Sequence, residues 1–357
     1  MHSFPHRNDL EESRMCTTLP RTILAALVAA LAAAPVASSP ARAQVAGLSG
    51  TLIVTNKGPS TATIVDVATG TTLATLPTGN GPHEIVISRD GRTAVVTDYG
   101  TGQAPGSTLT VIDVAGLRVA RTIPLATYTR PHGIVFLPGD SLVAVTSEAT
   151  RTVVVVHVRS GGIVKAVSTE KLGSHMVGVA ADGVRAWTGD IGSNTVTELD
   201  LRAGRALRSI EVPAQPEAIN VTADGSEAWV GSNATGRVSV VDTRTGSVVT
   251  AAEGLGWPYR VLFSPDSRLA LIPDYRGEEL RFLERASRTE LGRLALVGAG
   301  PQGIAITPDG RYVLLSLSRE ARVAIIDVAR RAVSGHLRVG ETPDGVVFTT
   351  FVVSRAP

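Results

Sequence analysis

Three histidines stand at equivalent places in the sequence, and each opens a short apolar stretch. They are His83 in GPHEIVIS, His132 in RPHGIVF and His175 in SHMVGVA. Two of the seven histidines, His2 and His6, lie near the start of the chain, so three of the other five share one position, which composition does not explain. An imidazole binds transition metals and exchanges protons near neutral pH, and three imidazoles together would suit either chemistry.

The same position recurs along the chain with other polar residues. The remaining members of this column are Glu217, Tyr259, Gln302 and Asp344. Successive members of the column are 49, 43, 42, 42, 43 and 42 residues apart. A second set of marks, a mostly acidic residue before a turn, repeats in step with the first. Its members are Asp66, Asp113, His157, Asp200, Asp242, Glu284 and Asp327. Two independent sets of marks therefore indicate seven repeats.

Each repeat contains four short apolar runs separated by turn residues. In one unit the runs are EAINVT, EAWVGS, VSVVDT and VVTAAE. Runs of this length between Asp-Gly and Asp-x-x-x-Gly turns predict antiparallel β-strands. Seven four-stranded units predict an all-β protein, a seven-bladed β-propeller. The last unit stops after one strand, DGVVFTTFVV, and we expect this strand to complete the N-terminal blade, because closure removes the exposed sheet edge.

The repeats resemble a known family. The unit at residues 300–340 is similar to the YVTN-type repeat of bacterial β-propellers, a group that includes the YncE-like periplasmic proteins. The motif that names the family is matched by VTN at residues 54–56 and by VTD at residues 96–98. The resemblance covers residues 44–357 and implies the propeller fold. It implies no single function, since this architecture hosts lactonases, lyases, electron-transfer subunits and binding platforms.

The first 43 residues differ from the repeats and have the pattern of a signal peptide. Arg21 precedes an apolar run at residues 22–34, and an Ala-Arg-Ala sequence ends at Ala43. We expect cleavage there, which leaves residues 44–357 as a single propeller domain in the periplasm or outside the cell. The polar stretch before Met15 makes Met15 a second candidate for the start. The apolar run is too short to span a bilayer, so we expect no membrane span in the mature chain.

Composition argues against two classes of function. The net charge is +2 and aromatic residues make up 4% of the chain, so neither the basic surface nor the stacking rings of a nucleic-acid-binding protein are indicated. The single cysteine, Cys16, precedes the apolar run and would leave with the signal peptide. We therefore expect no disulfide in the mature chain. We also expect a monomer that binds a small molecule or another envelope protein.

Antiparallel order places the start of each first strand and the end of each second strand on one face, which we call the top. Aligned on the aspartate of each first hairpin, the ends of the second strands form a mostly polar set. Its members are Asp98, Glu148, Asp190, Ser232, Asp274, Leu317 and Asn56. Three neighbouring blades thus combine a histidine with a carboxylate at the mouth of the central channel, and Glu217 follows in the next blade.

This arc of histidines and carboxylates allows three interpretations. In the first, the side chains only fill the mouth and join neighbouring blades. In the second, a divalent transition metal binds there, and the adjacent carboxylates orient the histidines or act as a general base. The candidate metal ligands are His83, His132, His175 and Glu217. In the third, arginines capture an anion without chemistry. These arginines are Arg130, Arg260 and Arg276.

The sequence predicts a binding module for a ligand, a metal or a protein at this mouth. The alternative is a metal-dependent lyase or lactone hydrolase. Its candidate catalytic residues are His83, His132, His175 and Asp98. Seven-bladed lyases mount a divalent metal and histidines at the same mouth, but no side chain here matches their motifs closely enough to transfer a role. Further residues expected to line the mouth are Glu148, Asp190, Tyr259, Asp274, Gln302, Asp344, Arg130 and Arg260.

One repeat carries an insertion. The step from His83 to His132 is seven residues longer than the usual 42, and most of the excess lies in DYGTGQAPGST at residues 98–108. The strand order places this loop over the top, beside these two histidines. A Gly- and Pro-rich loop there is either a lid or a tolerated insertion.

Overall fold

The computed structural model describes residues 45–353. In this range the chain forms strands β1 to β28, numbered along the chain, in seven four-stranded antiparallel sheets. The predicted seven-bladed β-propeller is confirmed. No helix within these residues is long and apolar enough to cross a bilayer. The predicted signal peptide lies outside the described residues.

Each blade has four strands, ordered from the channel outwards. The innermost strands are β28 (Pro343–Thr349), β4 (Pro82–Ile87), β8 (Pro131–Phe136), β12 (Ser174–Val179), β16 (Pro216–Val221), β20 (Leu262–Phe263) and β24 (Pro301–Ile306). The second strands are β1 (Thr51–Asn56), β5 (Thr93–Gly100), β9 (Leu142–Ser147), β13 (Arg185–Asp190), β17 (Glu227–Ser232), β21 (Leu269–Asp274) and β25 (Tyr312–Leu317).

The outer half of each blade follows the same pattern. The third strands are β2 (Thr61–Asp66), β6 (Pro105–Asp113), β10 (Thr152–His157), β14 (Thr195–Asp200), β18 (Arg237–Asp242), β22 (Glu279–Glu284) and β26 (Arg322–Asp327). The fourth strands are β3 (Thr71–Pro77), β7 (Arg118–Pro124), β11 (Ile163–Ser168), β15 (Arg205–Glu211), β19 (Val248–Ala252), β23 (Glu290–Ala295) and β27 (Ala332–Arg338). We call the sheet with β28 and β1–β3 blade 1, and blades 2 to 7 follow in chain order.

The ring is closed by the last strand. β28 pairs antiparallel with β1, with Val347 opposite Ile53, so the final strand completes the first blade as predicted. Closure leaves no open sheet edge between the two ends of the ring.

Side chains in the turns determine where the strands end. In the first hairpin of blade 5, the Asp224 carboxylate accepts hydrogen bonds from the Thr222 hydroxyl at 2.6 Å and from the Ser226 amide at 3.0 Å. These hydrogen bonds lower the pKa of Asp224 to about 2. His157 takes the place of an aspartate in the outer turn of blade 3, where its Nδ1 accepts from the Ser160 amide at 3.1 Å. The histidine is therefore a turn cap.

Seven apolar clusters form the core, and each is shared by two neighbouring blades. Between blades 4 and 5, Trp187 packs with Val196 of its own blade and with Val221 and Val230 of the next. Because each blade is packed on both sides, the strand ends at the mouth are held in fixed positions.

Candidate functional site

Strand pairing separates two columns of side chains at the top of the blades. The first residue of an inner segment pairs with a residue at or near the end of the second strand, as Pro82 does with Asp98 and Ser174 with Asp190. We call these second-strand residues the anchor column. Its members are Asn56, Asp98, Ser147, Asp190, Ser232, Asp274 and Leu317.

In blade 3 the anchor is Ser147, whereas the alignment on hairpin aspartates placed Glu148 there. The hairpin of blade 3 has Gly139 followed by Asp140, while most other blades have Asp-Gly. Asp140 adopts a φ of 55°, in the left-handed region that glycine takes in those blades. Asp140 thus occupies the glycine position, and counting from it overshoots by one residue. Glu148 belongs to the next column.

The anchor aspartates are bound by their own blades. Asp190 is completely buried, and its two carboxylate oxygens accept four hydroxyl hydrogen bonds of 2.6 to 3.0 Å. The donors are Ser174, Thr188, Thr195 and Thr197. Burial nevertheless raises the pKa of Asp190. Asp274, also buried, accepts from the backbone amides of Gly256, Trp257 and Gly277. Asp190 thus joins strands of its own blade, and Asp274 holds the loop between blades 5 and 6 in place.

Asp98 belongs to the same group. Its carboxylate accepts hydrogen bonds from the Thr108 hydroxyl at 2.7 Å, the Thr110 hydroxyl at 2.9 Å and the Gly79 amide at 3.0 Å. Burial raises the pKa of Asp98 to about 6, although these hydrogen bonds act in the opposite direction. The candidate base is thus bound to its own blade and the loop before it, and no described hydrogen bond joins it to a histidine.

In blades 1, 2 and 5, the residue after the anchor contacts the polar residue that opens the inner strand of the same blade. Successive side chains of a strand lie on opposite faces of the sheet, so the side chain one position beyond the anchor lies on the face opposite to the anchor's. Tyr99 packs on His83 with ring centroids 4.5 Å apart, and the Lys57 ammonium lies 3.0 Å from the Asp344 carboxylate. We call the strand-opening residues, the residues that contact them and their neighbours Glu84 and Arg260 the mouth cluster. Its members are Lys57, His83, Glu84, Tyr99, His132, Glu148, His175, Glu217, Asn233, Tyr259, Arg260, Gln302 and Asp344.

In the predicted histidine arc, the rings contact one another in a row, His83 against His132 edge to face and His132 against His175 at a tilt. The ring centroids of His83 and His132 are 5.0 Å apart, and those of His132 and His175 are 3.7 Å apart. The Glu148 carboxylate lies 2.9 Å from Nδ1 of His175 and accepts a 3.2 Å hydrogen bond from the Tyr99 hydroxyl. On its other side, Nε2 of His175 is 4.0 Å from the carboxylate of Glu217. One imidazole therefore lies between two carboxylates.

Burial keeps two of these rings neutral. Burial lowers the pKa of His83 to about 4 and that of His132 well below its usual value, with the neighbouring histidines adding to the shift of His132. The Glu148 carboxylate is only partly buried. Burial acts to raise its pKa, but His175, Tyr99 and Arg130 together outweigh this through hydrogen bonds and charge, and the pKa is lowered. At neutral pH the rings of His83 and His132 are therefore uncharged.

The opposite side of the mouth is a charged network. The buried Arg260 guanidinium crosses the channel from blade 6 to bind Glu84 of blade 2, and it lies 3.9 Å from Glu217. The Tyr259 hydroxyl donates a 3.0 Å hydrogen bond to Asp344. Burial raises the pKa of Glu84 against the effect of Arg260. Burial also acts to raise the pKa of Asp344, but its cationic neighbours, Lys57 first, outweigh it and the pKa is lowered.

Several buried polar atoms in the mouth cluster have no hydrogen-bond partner within residues 45–353. Nδ1 of His132 and Oε1 of Gln302 are two of them, and their residues are 3% and 7% exposed. The metal hypothesis for His83, His132 and His175 with Glu217 stays a prediction. In the described part of the chain, no group of three or more His, Cys, Asp and Glu side chains is placed to hold a metal ion.

The insertion in blade 2 extends a hairpin over the histidines. β5 continues to Gly100, which pairs with Pro105 at the start of β6. Arg130, the residue before the inner strand of blade 3, donates a 3.0 Å hydrogen bond to the carbonyl of Thr101 and lies over the Tyr99 ring at 5.1 Å. The inserted loop is thus tied to the next blade, and it supplies the aromatic ring that packs on His83.

Sequence reasoning missed part of the site. Tyr99 and Lys57 were overlooked because the column was taken one residue too early, and Glu84 because only the residue after each proline was considered. Trp257 was also missed; its indole donates a 2.9 Å hydrogen bond to Glu217 and lies under the exposed Arg276 guanidinium at 4.5 Å. Tyr99 and Lys57 each lie one position after an anchor, and the alternation of side chains along a strand would have identified them.

No protein-family model and no curated protein matches the chain. Solved structures with the same fold include hydrazine synthase from Kuenenia stuttgartiensis, with a TM-score of 0.62 and 18% identity over 77% of this chain and 96% of that chain. A functionally unknown protein from Desulfotomaculum acetoxidans DSM 771 aligns with a TM-score of 0.68 and 14% identity, over 84% of this chain and 99% of that chain. At these identities the similarity establishes the β-propeller fold alone.

Proposed function

We propose that the protein is a binding module that holds a small polar molecule at the mouth cluster. The observation that carries this proposal is the pair of buried atoms, Nδ1 of His132 and Oε1 of Gln302, that lack protein partners. A buried polar atom without a partner costs free energy, and such atoms are rare in folded proteins. Their position at the mouth of the channel is consistent with hydrogen bonds to a ligand.

The chemistry of the mouth cluster favours a ligand that donates hydrogen bonds. Four carboxylates face only two permanent cations there, and the neutral rings of His83 and His132 add no positive charge at neutral pH. The carboxylates are Glu84, Glu148, Glu217 and Asp344, and the cations are Lys57 and Arg260. An amine or a polyol would supply the donors that this set of acceptors lacks.

The test compares His132→Phe with the unmodified protein. Phenylalanine keeps the ring contacts of His132 and removes its nitrogens, so the fold should remain. Thermal unfolding is measured with putrescine, lysine, glucuronate and N-acetylglucosamine. We expect at least one of these compounds to raise the Tm of the unmodified protein and not that of the variant. If every shift is the same in both proteins, or if none occurs, this assignment of the mouth fails.

We further propose that the chain is an exported protein of the YVTN type. The supporting observations are the basic residue, apolar run and Ala-Arg-Ala sequence before Gln44, and the VTN and VTD motifs. Expression of the full chain in a bacterial host should give a periplasmic protein whose N-terminus is Gln44. Recovery from the cytoplasm with an intact N-terminus would contradict export.

A second candidate function is a hydrolase or lyase, and the arrangement around His175 favours it. Glu148 binds Nδ1 of this histidine and leaves Nε2 as the atom that could take a proton, as in a carboxylate-oriented general base. The test is hydrolysis of a lactone panel by the purified protein, with His175→Gln and Glu148→Gln as variants. Loss of an observed activity in both variants would support catalysis, while equal activity in both would rule out this base.

A further inference from the structure

Two tryptophans occupy the same point of neighbouring blades and differ in one hydrogen bond. Trp187 of β13 and Trp229 of β17 each stand third in their second strand, and each is at most 1% exposed. The indole N–H of Trp229 donates a 3.0 Å hydrogen bond to the Glu227 carboxylate. Within residues 45–353, Nε1 of Trp187 has no hydrogen-bond partner. A buried donor without an acceptor costs free energy and is rare in folded proteins.

The difference originates two residues earlier in the strand. Side chains two positions apart lie on the same face of a sheet, and the residue there is Glu227 in blade 5 and Arg185 in blade 4. A guanidinium group cannot accept a hydrogen bond, so Arg185 brings a donor where Glu227 brings an acceptor. Nε of Arg185 is buried and also lacks a partner among the described residues. The guanidinium lies over the Trp187 ring at 5.7 Å.

The buried carboxylate of blade 4 is engaged by arginines. Glu198 lies opposite Trp187 in the sheet, and its carboxylate pairs with a terminal nitrogen of Arg185 and, at 2.6 Å, with Nε of Arg208. No described hydrogen bond joins Glu198 to the indole. Two N–H donors, Nε1 of Trp187 and Nε of Arg185, therefore remain without acceptors.

The next blade does not fill the wedge beside these donors. In the wedge between blades 5 and 6, on the bottom face opposite the mouth, Arg285 and Arg288 of blade 6 lie 2.8 and 3.3 Å from the Glu227 carboxylate. The corresponding residues of blade 5 are Thr243 and Gly246, which are too short to reach across.

The wedge between blades 4 and 5 contains a cavity of about 300 Å³. Its lining includes both residues with unpartnered donors and the exposed groups at its opening. These residues are Asp182, Arg185, Trp187, Asp224, Thr243 and Arg244.

The charges around the cavity are balanced. Hydrogen bonds from their own turns lower the pKa of Asp182 and of Asp224, so both are ionised at neutral pH. Arg185 and Arg244 carry the positive charges of the lining. Since two carboxylates face two guanidinium groups, the cavity favours neither an anion nor a cation. An uncharged acceptor matches the two unpartnered donors.

We propose that the wedge between blades 4 and 5 binds a compact uncharged amide, whose carbonyl oxygen accepts hydrogen bonds from the indole of Trp187 and from Nε of Arg185. A carbonyl oxygen has two lone pairs and can accept both. The N–H group of an amide is a donor that suits the carboxylates at the opening. The volume lies at the lower end of the range of about 300–1,000 Å³ typical of small-molecule sites, which favours a compact ligand. This site is independent of the mouth cluster.

The experiment follows the indole N–H resonances of the three tryptophans by NMR while the ¹⁵N-labelled protein is titrated with 2-pyrrolidone. We expect a saturable downfield shift of the Trp187 proton, because a hydrogen bond to a carbonyl deshields it. The Trp229 proton is the internal control and should not move, since it is already bound to Glu227. Trp187→Phe assigns the resonance; if this variant does not fold, Trp229→Phe and Trp257→Phe assign it by elimination.

Arg185→Lys tests the second donor. Lysine keeps a positive charge for Glu198 and lacks the Nε–H group, so 2-pyrrolidone should bind about tenfold more weakly. The matched control is Arg244→Lys, which makes the same exchange at the exposed opening and should leave binding unchanged. Unchanged binding in Arg185→Lys, or an equal loss in Arg244→Lys, would overturn the proposal.

Acetate tests the charge of the ligand. It should bind about tenfold more weakly than 2-pyrrolidone, because the cavity has no net positive charge to offset its own. Equal or tighter binding of acetate would overturn the proposal. A Trp187 proton that does not respond to 2-pyrrolidone would also overturn it, since water alone would then occupy the cavity. Equal shifts of the Trp187 and Trp229 protons would overturn it as well.

Discussion

The anchor column and the residues after it lie one position apart at the top of the same blades, yet their polar atoms are satisfied in different ways. The carboxylate of Asp190 receives four hydroxyl hydrogen bonds from its own blade. The carboxylate of Glu148 is shared between Tyr99 of blade 2 and His175 of blade 4. A buried carboxylate saturated within one blade supports the fold, whereas one shared between blades belongs to a network that a ligand can enter.

The largest effect is expected in the anchor column. Asp190→Ala leaves four hydroxyls without their acceptor, and we expect a loss of about 3–5 kcal/mol in the free energy of unfolding. Guanidinium unfolding measures this loss. Asp242→Ala, in an exposed turn, is the control and should be much milder. If the two variants are equally stable, the distinction between anchors and turn caps is wrong.

The second prediction concerns the pH dependence of the anchors. The pKa of Asp98 in the folded protein, about 6, exceeds its ordinary value of 3.8. Folding therefore favours the protonated form, so the contribution of Asp98 to stability is greatest below pH 4. It declines by about 3 kcal/mol as the pH rises to 6. Asp98→Asn should remove this decline in unfolding experiments between pH 4 and pH 7. An unchanged pH profile would contradict the assignment.

The histidine side should behave in the opposite way. The pKa of His83, about 4, is below its ordinary value of 6.5, so folding favours the neutral ring. Its contribution is complete above pH 6.5 and is lost as the pH falls to 4. We expect a loss of about 2 kcal/mol, since the ring is partly exposed. His83→Asn keeps a donor for the Gly81 carbonyl and should reduce this acid sensitivity in the same unfolding series. The idea fails if both variants shift the profile in the same direction.

The fold could be predicted from the sequence because the same pattern of strands and turns occurs in all seven repeats. Misreading one repeat therefore does not change the predicted fold. Closure followed from an incomplete last unit, and the pairing of Val347 with Ile53 confirms it. The spaces between neighbouring blades could not be predicted in the same way. They depend on contacts between side chains of different segments, such as Arg331 beside Gly292 and Val45 beside Gly335.

The candidate site could be predicted only in part. The histidines were identified as one column from their spacing. Spacing does not show which charged side chains pair across the channel, such as Arg260 of blade 6 with Glu84 of blade 2. The off-by-one placement of Glu148 came from a single turn in which Asp140 takes the conformation of a glycine. Local backbone conformation, which the letters alone do not specify, decided which side chains face the mouth.

The smallest expected change in the free energy of unfolding distinguishes the mouth cluster from the anchors most sharply. A substitution in the mouth cluster should raise stability, whereas a substitution at an anchor should lower it. Gln302→Met keeps the shape of a buried side chain and removes an oxygen that has no described partner, so we expect a gain of about 1 kcal/mol in the free energy of unfolding. Ser232→Ala, at an anchor whose hydroxyl donates to the Pro213 carbonyl at 2.9 Å, should lose about the same amount. Guanidinium unfolding of the two variants gives the comparison. A residue that lowers stability is retained where it serves binding, so a loss in Gln302→Met would mean that the glutamine supports the fold like the anchors.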